Sequence, residues 1–203
     1  MKITQSILPI FLIAFIVGNA PVCAADATHP AAVDSTPAEQ IDPELRMLVK
    51  QAALETDSFP DRFDGEVWLA DMSRRLATRL PEAGYRVELL KQVHYEATRA
   101  GLSPEVVLSV IDVESNFNQY AISSAGARGL MQVMPFWLKE IGKPGDSLFR
   151  LQTNLRLGCT ILKYYLDKEK GNLHAALKRY NGTRERHYPL KVDKVLRTRW
   201  FRQ

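Results

Sequence analysis

Cysteine is nearly absent from this sequence, which has two cysteines in 203 residues. Cys23 lies near the N-terminus, and Cys159 lies among leucine and isoleucine residues in the C-terminal half. A framework of several disulfides is therefore excluded, and the fold has to be stabilised by its apolar core. We interpret Cys159 as a small buried apolar residue rather than a reactive thiol.

Long apolar runs are also scarce, and the one extended example covers residues 7–17. It follows Lys2 and precedes small residues at 22–25, which is the pattern of a cleaved secretory signal peptide. The run is too short for a comfortable membrane-spanning helix, although a retained anchor is the alternative. We therefore predict a signal peptide over residues 1–25 and a location in the periplasm or cell envelope.

Neither sign of charge dominates, because 27 Lys and Arg stand against 23 Asp and Glu, a formal net charge of +4. This mild excess favours anionic polymers, among them nucleic acid and the bacterial wall with its carboxylate-bearing peptides. Histidine is rare, and His94, His174 and His187 lack the spacing of a metal-ligand cluster. The sequence therefore shows no convincing metal-ligand cluster.

No segment convincingly alternates apolar and polar residues as a strand does, and apolar residues recur at helical spacing from about residue 42. Residues 26–40 are rich in Ala, Pro, Thr and Asp, and we predict a flexible tether there. The rest is predicted to be all-α, with a helical extension over 41–84 that packs on the core and a main domain over 85–203. The predicted helical segments lie near 42–49, 67–80 and 89–100, from 104 onward, and near 152–170, 172–180 and 187–203.

The helix predicted to begin after Ser103 carries a carboxylate on its apolar side. Its polar residues form one stripe, which consists of Glu105, Ser109, Asp112 and Asn116. Glu114 instead falls among valines, where burial and the last helical turn would both raise its pKa, as a general acid near neutral pH requires. The alternative is a structural Glu114 paired with Arg128 or Arg156.

Asp112 is the obvious second carboxylate near Glu114. It lies about 200° around the helix from Glu114, so a regular helix cannot direct both into one cleft. We therefore predict that Asp112 is a solvated-face residue or a cap partner. Substitution of Asp112 by Asn should then be nearly silent.

Three short motifs follow one another along the chain. Glu114-Ser115 is followed by Gly-Leu-Met-Gln at 129–132 and later by Tyr180-Asn181. In this order and at these intervals they resemble the soluble lytic transglycosylase family over residues 85–185. The resemblance implies a goose-type lysozyme-like fold with an N-terminal helical extension. It also implies an enzyme that cleaves the glycan strands of peptidoglycan, with residues 85–203 as its catalytic domain.

The resemblance further implies a role for each matched residue. Glu114 takes the place of the catalytic acid and base. The implied substrate-binding residues are Ser115 in the motif turn, Ser123 near an acetamido group, Gln132 and Met134 in the saccharide cleft, Tyr180 as a hydrogen-bonding group at the catalytic centre, and Asn181 beside it. A loop-stabilising bond is an equal alternative for Ser123 and Gln132. This chain also reads Arg-Tyr-Asn-Gly where the family commonly reads Ala-Tyr-Asn-Ala-Gly, so its loop is shorter.

The implied reaction is non-hydrolytic, with Glu114 as the acid and then the base that closes a 1,6-anhydro ring on N-acetylmuramic acid. The substrate's own acetamido oxygen would replace a second carboxylate, and the implied reaction needs neither a metal nor a cofactor. A goose-type hydrolase is one alternative, and it would need a further carboxylate such as Glu140, Asp146 or Glu169. A non-catalytic wall-binding module or cell-envelope assembly factor is another. A nucleic-acid partner is disfavoured by the export signal, whereas the basic tail over 184–203 allows association with wall or membrane surfaces.

Overall fold

The structure is a computed structural model that describes Ser58 and residues 62–141, 145–182 and 187–201. The predicted signal peptide, the tether and the helical segment near 42–49 lie outside these residues. The helices are α1 (Arg62–Leu76), α2 (Ala83–Arg99), α3 (Pro104–Ser115), α4 (Phe136–Ile141), α5 (Leu151–Lys168), α6 (Leu173–Tyr180) and α7 (Tyr188–Val195), followed by a π-helical turn (Leu196–Trp200).

The predicted all-α class is confirmed for the described residues. Their β-structure is limited to isolated bridges that join Ile122 to Arg128 and Arg128 to Val133. Within the same residues, no helix is both long enough and apolar enough to cross a bilayer.

The ends of α3 follow from local sequence. Ser103 caps the first turn with its side chain, and Pro104 occupies the first helical position, as the sequence predicts. The helix ends at Asn116, and both Asn116 and Phe117 adopt left-handed backbone conformations, with φ of 48° and 64°. This sharp reversal directs Phe117 into the core, where its ring lies 5.5 Å from that of Trp200.

Helix α5 packs against α2 and α6 and supports the segment that contains the Gly-Leu-Met-Gln motif. A side chain at Gly158 would place its Cβ 2.4 Å from the sulfur of Met131, so the close approach requires glycine. Cys159 is fully buried beside it, with its sulfur 3.9 Å from the sulfur of Met131. Burial raises the pKa of the Cys159 thiol far above its usual range, which confirms the interpretation of an unreactive core residue.

A buried carboxylate joins α2 to α5. Glu96 forms ion pairs with Arg99 at 2.7 Å and with Arg156 at 3.5 Å. Burial raises the pKa of Glu96, and the two arginines partly offset that effect. The alternative that paired Arg156 with Glu114 is therefore wrong. Arg128, the other arginine considered, lies over the ring of Phe149.

Helix α1 packs against α2 and against the C-terminal π-helical turn. It buries Trp68, Met72 and Leu76, which recur every four residues along one face. Arg75 on this helix donates to the backbone carbonyl oxygens of Arg199 at 2.9 Å and Phe201 at 3.1 Å. The first described helix therefore supports the last one. The boundaries of the extension and the catalytic domain stay predictions.

Candidate active site

Glu114 lies half-buried in the last turn of α3. The hydroxyl of Tyr188 donates a 2.7 Å hydrogen bond to its Oε1 atom. Tyr188 is the first residue of α7 and is only 1% exposed, and Pro189 follows it in the first helical turn. Because this proline restricts the backbone at the start of α7, the phenol reaches Glu114 from a well-defined position.

A cavity of about 400 Å³ lies beside Glu114. Its lining comes from the end of α3 (Asp112, Val113 and Glu114), from Asn181, and from α7 and the π-helical turn (Tyr188, Lys191, Lys194, Val195, Thr198 and Arg199). Most of the lining residues from α7 onward recur every three or four positions and therefore share one helix face. That face forms the wall of the cavity opposite α3.

Asp112 lines the same cavity, so the prediction that it could not share a cleft with Glu114 is wrong. Its side chain is only 4% exposed. Oδ1 accepts a hydrogen bond from Arg199 at 2.8 Å, and Oδ2 accepts one from the indole of Trp200 at 3.0 Å. Arg79 adds an ion pair at 3.2 Å. The predicted solvated position is also wrong, because α7 and the π-helical turn pack across the polar side of α3.

The occupied oxygens of Asp112 limit its chemistry. A catalytic carboxylate has to accept or release a proton, or attack carbon, and both oxygens of Asp112 are held by structural donors. Of the two carboxyl groups that line this cavity, Asp112 therefore has a structural role.

The structure places the predicted substrate-binding residues in two groups. Asn181 lines the cavity with Glu114, whereas Ser115, Ser123, Gln132, Met134 and Tyr180 do not. Three of these make local bonds: Ser115 donates to the carbonyl of Ile111, Ser123 accepts from the backbone N–H of Ala127, and Gln132 donates to the carbonyls of Ala121 and Gly129. The bonds of Ser123 and Gln132 are those of the loop-stabilising alternative. Met134 is half-buried against the apolar core.

Tyr180 lies at the end of α6, and its hydroxyl donates to the backbone carbonyl of Met131 at 2.7 Å. Burial raises the pKa of the Tyr180 phenol, and the negative charge of Glu114 raises it further. Tyr180 is therefore close enough to interact electrostatically with Glu114. Tyr188 is the residue that donates a hydrogen bond to that carboxylate. The role of Tyr180 as a hydrogen-bonding group at the catalytic centre stays a prediction, and the contact of Tyr188 with Glu114 was not predicted from the sequence.

Asn154 is a second residue that sequence reasoning missed. It is 1% exposed, and its amide donates to the carbonyl oxygens of Arg128 at 2.8 Å and Leu148 at 2.9 Å. Its Oδ1 atom accepts from the backbone N–H of Met131 at 2.8 Å. A side chain on Gly129 would place its Cβ 2.4 Å from the amide nitrogen of Asn154, so the close approach of Asn154 requires glycine at position 129.

Asn154 and Tyr188 differ in how clearly the sequence indicates their roles. Asn154 is a polar residue on the apolar face of α5, which is the same signal that drew attention to Glu114. Tyr188 offers no comparable local signal, because its contact joins residues 74 positions apart.

No three His, Cys, Asp or Glu side chains within the described ranges are arranged to hold a metal ion.

Residues 92–190 match the family described as the transglycosylase SLT domain. The chain contains a transglycosylase SLT domain. The family assignment made from the three motifs is thereby confirmed, and it agrees with the predicted lysozyme-like fold.

The relatives of this SLT domain include several named transglycosylases. Membrane-bound lytic murein transglycosylase C of Actinobacillus pleuropneumoniae serotype 5b is 48% identical over 48 residues, which is 24% of this chain and 13% of that protein. The transglycosylase of Enterobacteria phage PRD1 is 33% identical over 101 residues, which is 46% of this chain and 37% of that protein. The chain therefore covers well under half the length of each of these relatives.

Among solved structures, the chain is similar to an inactive mutant of the lytic transglycosylase Slt from Pseudomonas aeruginosa. The TM-score is 0.43 at 26% identity, over 62% of this chain and 23% of that one. It is also similar to the 70-kDa soluble lytic transglycosylase in complex with bulgecin A, with a TM-score of 0.40 at 22% identity, over 74% of this chain and 25% of that one.

Proposed function

We propose that this chain is a peptidoglycan lytic transglycosylase. It cleaves the β-1,4 bond between N-acetylmuramic acid and N-acetylglucosamine without water and leaves a 1,6-anhydro end. The observation that carries the proposal is the position of Glu114 within the SLT match, at a cavity where Tyr188 orients its carboxyl group.

In the first half of the reaction Glu114 is protonated and donates to the oxygen that links the two sugars. The bond between that oxygen and the anomeric carbon of N-acetylmuramic acid breaks, and N-acetylglucosamine leaves with a hydroxyl group. The acetamido oxygen of the substrate stabilises the positive charge on the anomeric carbon, so a protein nucleophile is not required. The hydrogen bond from Tyr188 to Oε1 fixes the direction in which the carboxyl group points.

In the second half Glu114 is ionised and acts as a base. It takes the proton of the 6-hydroxyl of N-acetylmuramic acid while that oxygen bonds to the anomeric carbon. Glu114 ends protonated, as it began, and no water is consumed. One carboxyl group therefore serves both steps. This agrees with the structure, in which both carboxylate oxygens of Asp112 already accept hydrogen bonds from Arg199 and Trp200.

A hydrolase would need a second carboxylate to direct water. Of the three candidates from the sequence, Glu140 is exposed on α4, and Glu169 forms an ion pair with Arg179. Neither these two nor Asp146 lines the cavity beside Glu114. The described contacts therefore favour the transglycosylase over the hydrolase.

The proposal includes export to the periplasm or cell envelope, where peptidoglycan strands are the partner. It rests on the apolar run over residues 7–17 and on the SLT match. A basic pI of about 9.1 agrees with association with an anionic wall or membrane surface. A wall-binding module or assembly factor without activity would bind sacculi and release nothing from them.

The test is turnover of purified sacculi by a Glu114→Gln variant. We expect unchanged folding and retained sacculus binding, with release of soluble fragments reduced to background. Glu88→Gln is the matched control, because Glu88 is exposed on α2 and its carboxylate accepts a hydrogen bond from Gln92 one turn further along the same helix. Glu114→Gln activity close to that of the control would overturn the proposal.

A further inference from the structure

The wall of the cavity opposite α3 lies mostly outside the family match. The match ends at residue 190, whereas Lys191, Lys194, Val195, Thr198 and Arg199 all line the cavity. This wall is a feature of the chain's own C-terminal segment, and it is rich in positive charge.

The three cations of this wall are Lys191, Lys194 and Arg199. All three are exposed residues. The acidic groups of the same lining are Asp112 and Glu114, so the lining carries three basic groups against two acidic ones. Because Asp112 is also paired with Arg79, its charge is shared between two arginines, and the wall keeps a positive excess.

Arg199 is fixed in position, and its guanidinium group keeps N–H donors for a ligand. One of its terminal nitrogens donates to Asp112 at 2.8 Å, and its backbone carbonyl accepts from Arg75. Its side chain remains 48% exposed. A guanidinium group has further N–H donors and binds carboxylates in a planar, two-bond geometry, whereas lysines contribute mobile point charges.

We propose that Lys191, Lys194 and Arg199 form a subsite for a carboxylate of the peptide stem carried by the substrate. The proposal rests on the proposed function, because it places the peptide-bearing sugar at Glu114. N-acetylmuramic acid carries its peptide on the same ring whose bond is cleaved. A peptide that extends from this ring contacts the cavity wall, and its carboxylates bind the three cations. The subsite selects strands that still carry peptides over bare glycan.

The first test measures binding without turnover. The probe is the soluble tetrapeptide stem released from sacculi by an amidase, and the comparison ligand is the same peptide with its carboxylates amidated. We expect the whole chain to bind the acidic peptide and not the amidated one. Lys191→Gln combined with Lys194→Gln should weaken acidic-peptide binding about five- to tenfold, because the double variant removes two solvent-exposed charge contacts.

The matched control is Lys91→Gln combined with Lys139→Gln, which removes the same charge from exposed positions away from the cavity. The control should bind the acidic peptide within about twofold of the unsubstituted chain, as expected for remote exposed charges. Equal weakening in both double variants would show only general attraction by net charge, and would overturn the subsite. Equal binding of the acidic and amidated peptides would also overturn it.

The second test compares kcat/KM on peptide-bearing strands and on strands stripped by an amidase. The Lys191 and Lys194 double variant should lose about five- to tenfold on peptide-bearing strands and nothing on stripped ones. An equal loss on both substrates would overturn the subsite, because the lysines would then act on the glycan or on Glu114. If the unsubstituted chain cleaves neither substrate, the proposed function fails, and peptide binding alone decides the subsite.

Discussion

The hydroxyl of Tyr188 donates a 2.7 Å hydrogen bond to Oε1 of Glu114, and so joins the first turn of α7 to the last turn of α3. In the proposed reaction Glu114 has to hold one orientation while it gives a proton and then takes one. A phenol anchored at a helix start provides that orientation without adding a competing base. Tyr188 is therefore a positioning residue for the proposed reaction.

Tyr188→Phe should lower kcat about ten- to hundredfold, because a hydrogen bond to a charged group contributes about 1.5–3 kcal/mol. KM should change little, since the phenol acts on Glu114 rather than on the glycan. Steady-state kinetics on soluble strands measure both constants. Tyr85→Phe is the control: it removes a hydroxyl that bonds Gln119, and it should leave kcat unchanged. A Tyr188 variant that matches this control would refute the positioning role.

Asp112→Asn should destabilise the protein by about 2–4 kcal/mol, because it leaves Arg79 and Arg199 without their buried anion. This replaces the prediction from the sequence, which expected a nearly silent change. Urea unfolding measures the difference. Asp167→Asn removes an exposed partner of Lys163 on α5 and should cost less than about 0.5 kcal/mol. Equal costs for the two variants would contradict the structural role of Asp112.

Asn154→Asp should destabilise the protein by about 2–4 kcal/mol, because it turns an oxygen toward the carbonyls of Arg128 and Leu148. Thermal or urea unfolding measures the loss, and activity should fall as the 129–132 segment loosens. Asn118→Asp makes the same chemical change at an exposed site whose oxygen accepts from Tyr120, so it should be tolerated. A tolerated Asn154→Asp would mean that Asn154 does not hold the motif segment.

We expect His94 to make part of the stability of the fold pH-dependent. It contacts the ring of Trp68 edge-on, and burial lowers the pKa of His94 below its usual 6.5, against a smaller opposing effect of Glu105. The unfolded chain therefore binds this proton more readily than the folded one, and stability should fall as pH drops below about 6.5. His94→Gln should reduce the fall between pH 6.5 and 5, whereas exposed His174→Gln should leave it intact. Parallel stability curves for the two variants would exclude this role for His94.

The helices were predictable because their signals are local. Ser103 and Pro104 define the start of α3, and Asn172 caps the start of α6 within one turn. Glu114 was singled out for a related reason, since a charged residue among valines contradicts the pattern of its own helix; its catalytic role stays a prediction.

The rest of the site depends on packing between distant segments. Asp112 was predicted to be solvated because it lies on the polar face of α3. Nothing in the sequence of α3 indicates that Trp200 and Arg199 cover this face. The same applies to Tyr188, whose phenol reaches Glu114 only after α7 packs on α3. Sequence patterns within one helix cannot report which other helix lies against it.

Mass spectrometry of the muropeptides released from purified sacculi tests the lytic transglycosylase assignment most directly. We expect products one water lighter than hydrolytic muropeptides, resistant to borohydride reduction, and absent when Glu114→Gln replaces the unsubstituted chain. Products that borohydride reduces would contradict the assignment and identify a hydrolase that uses a second carboxylate.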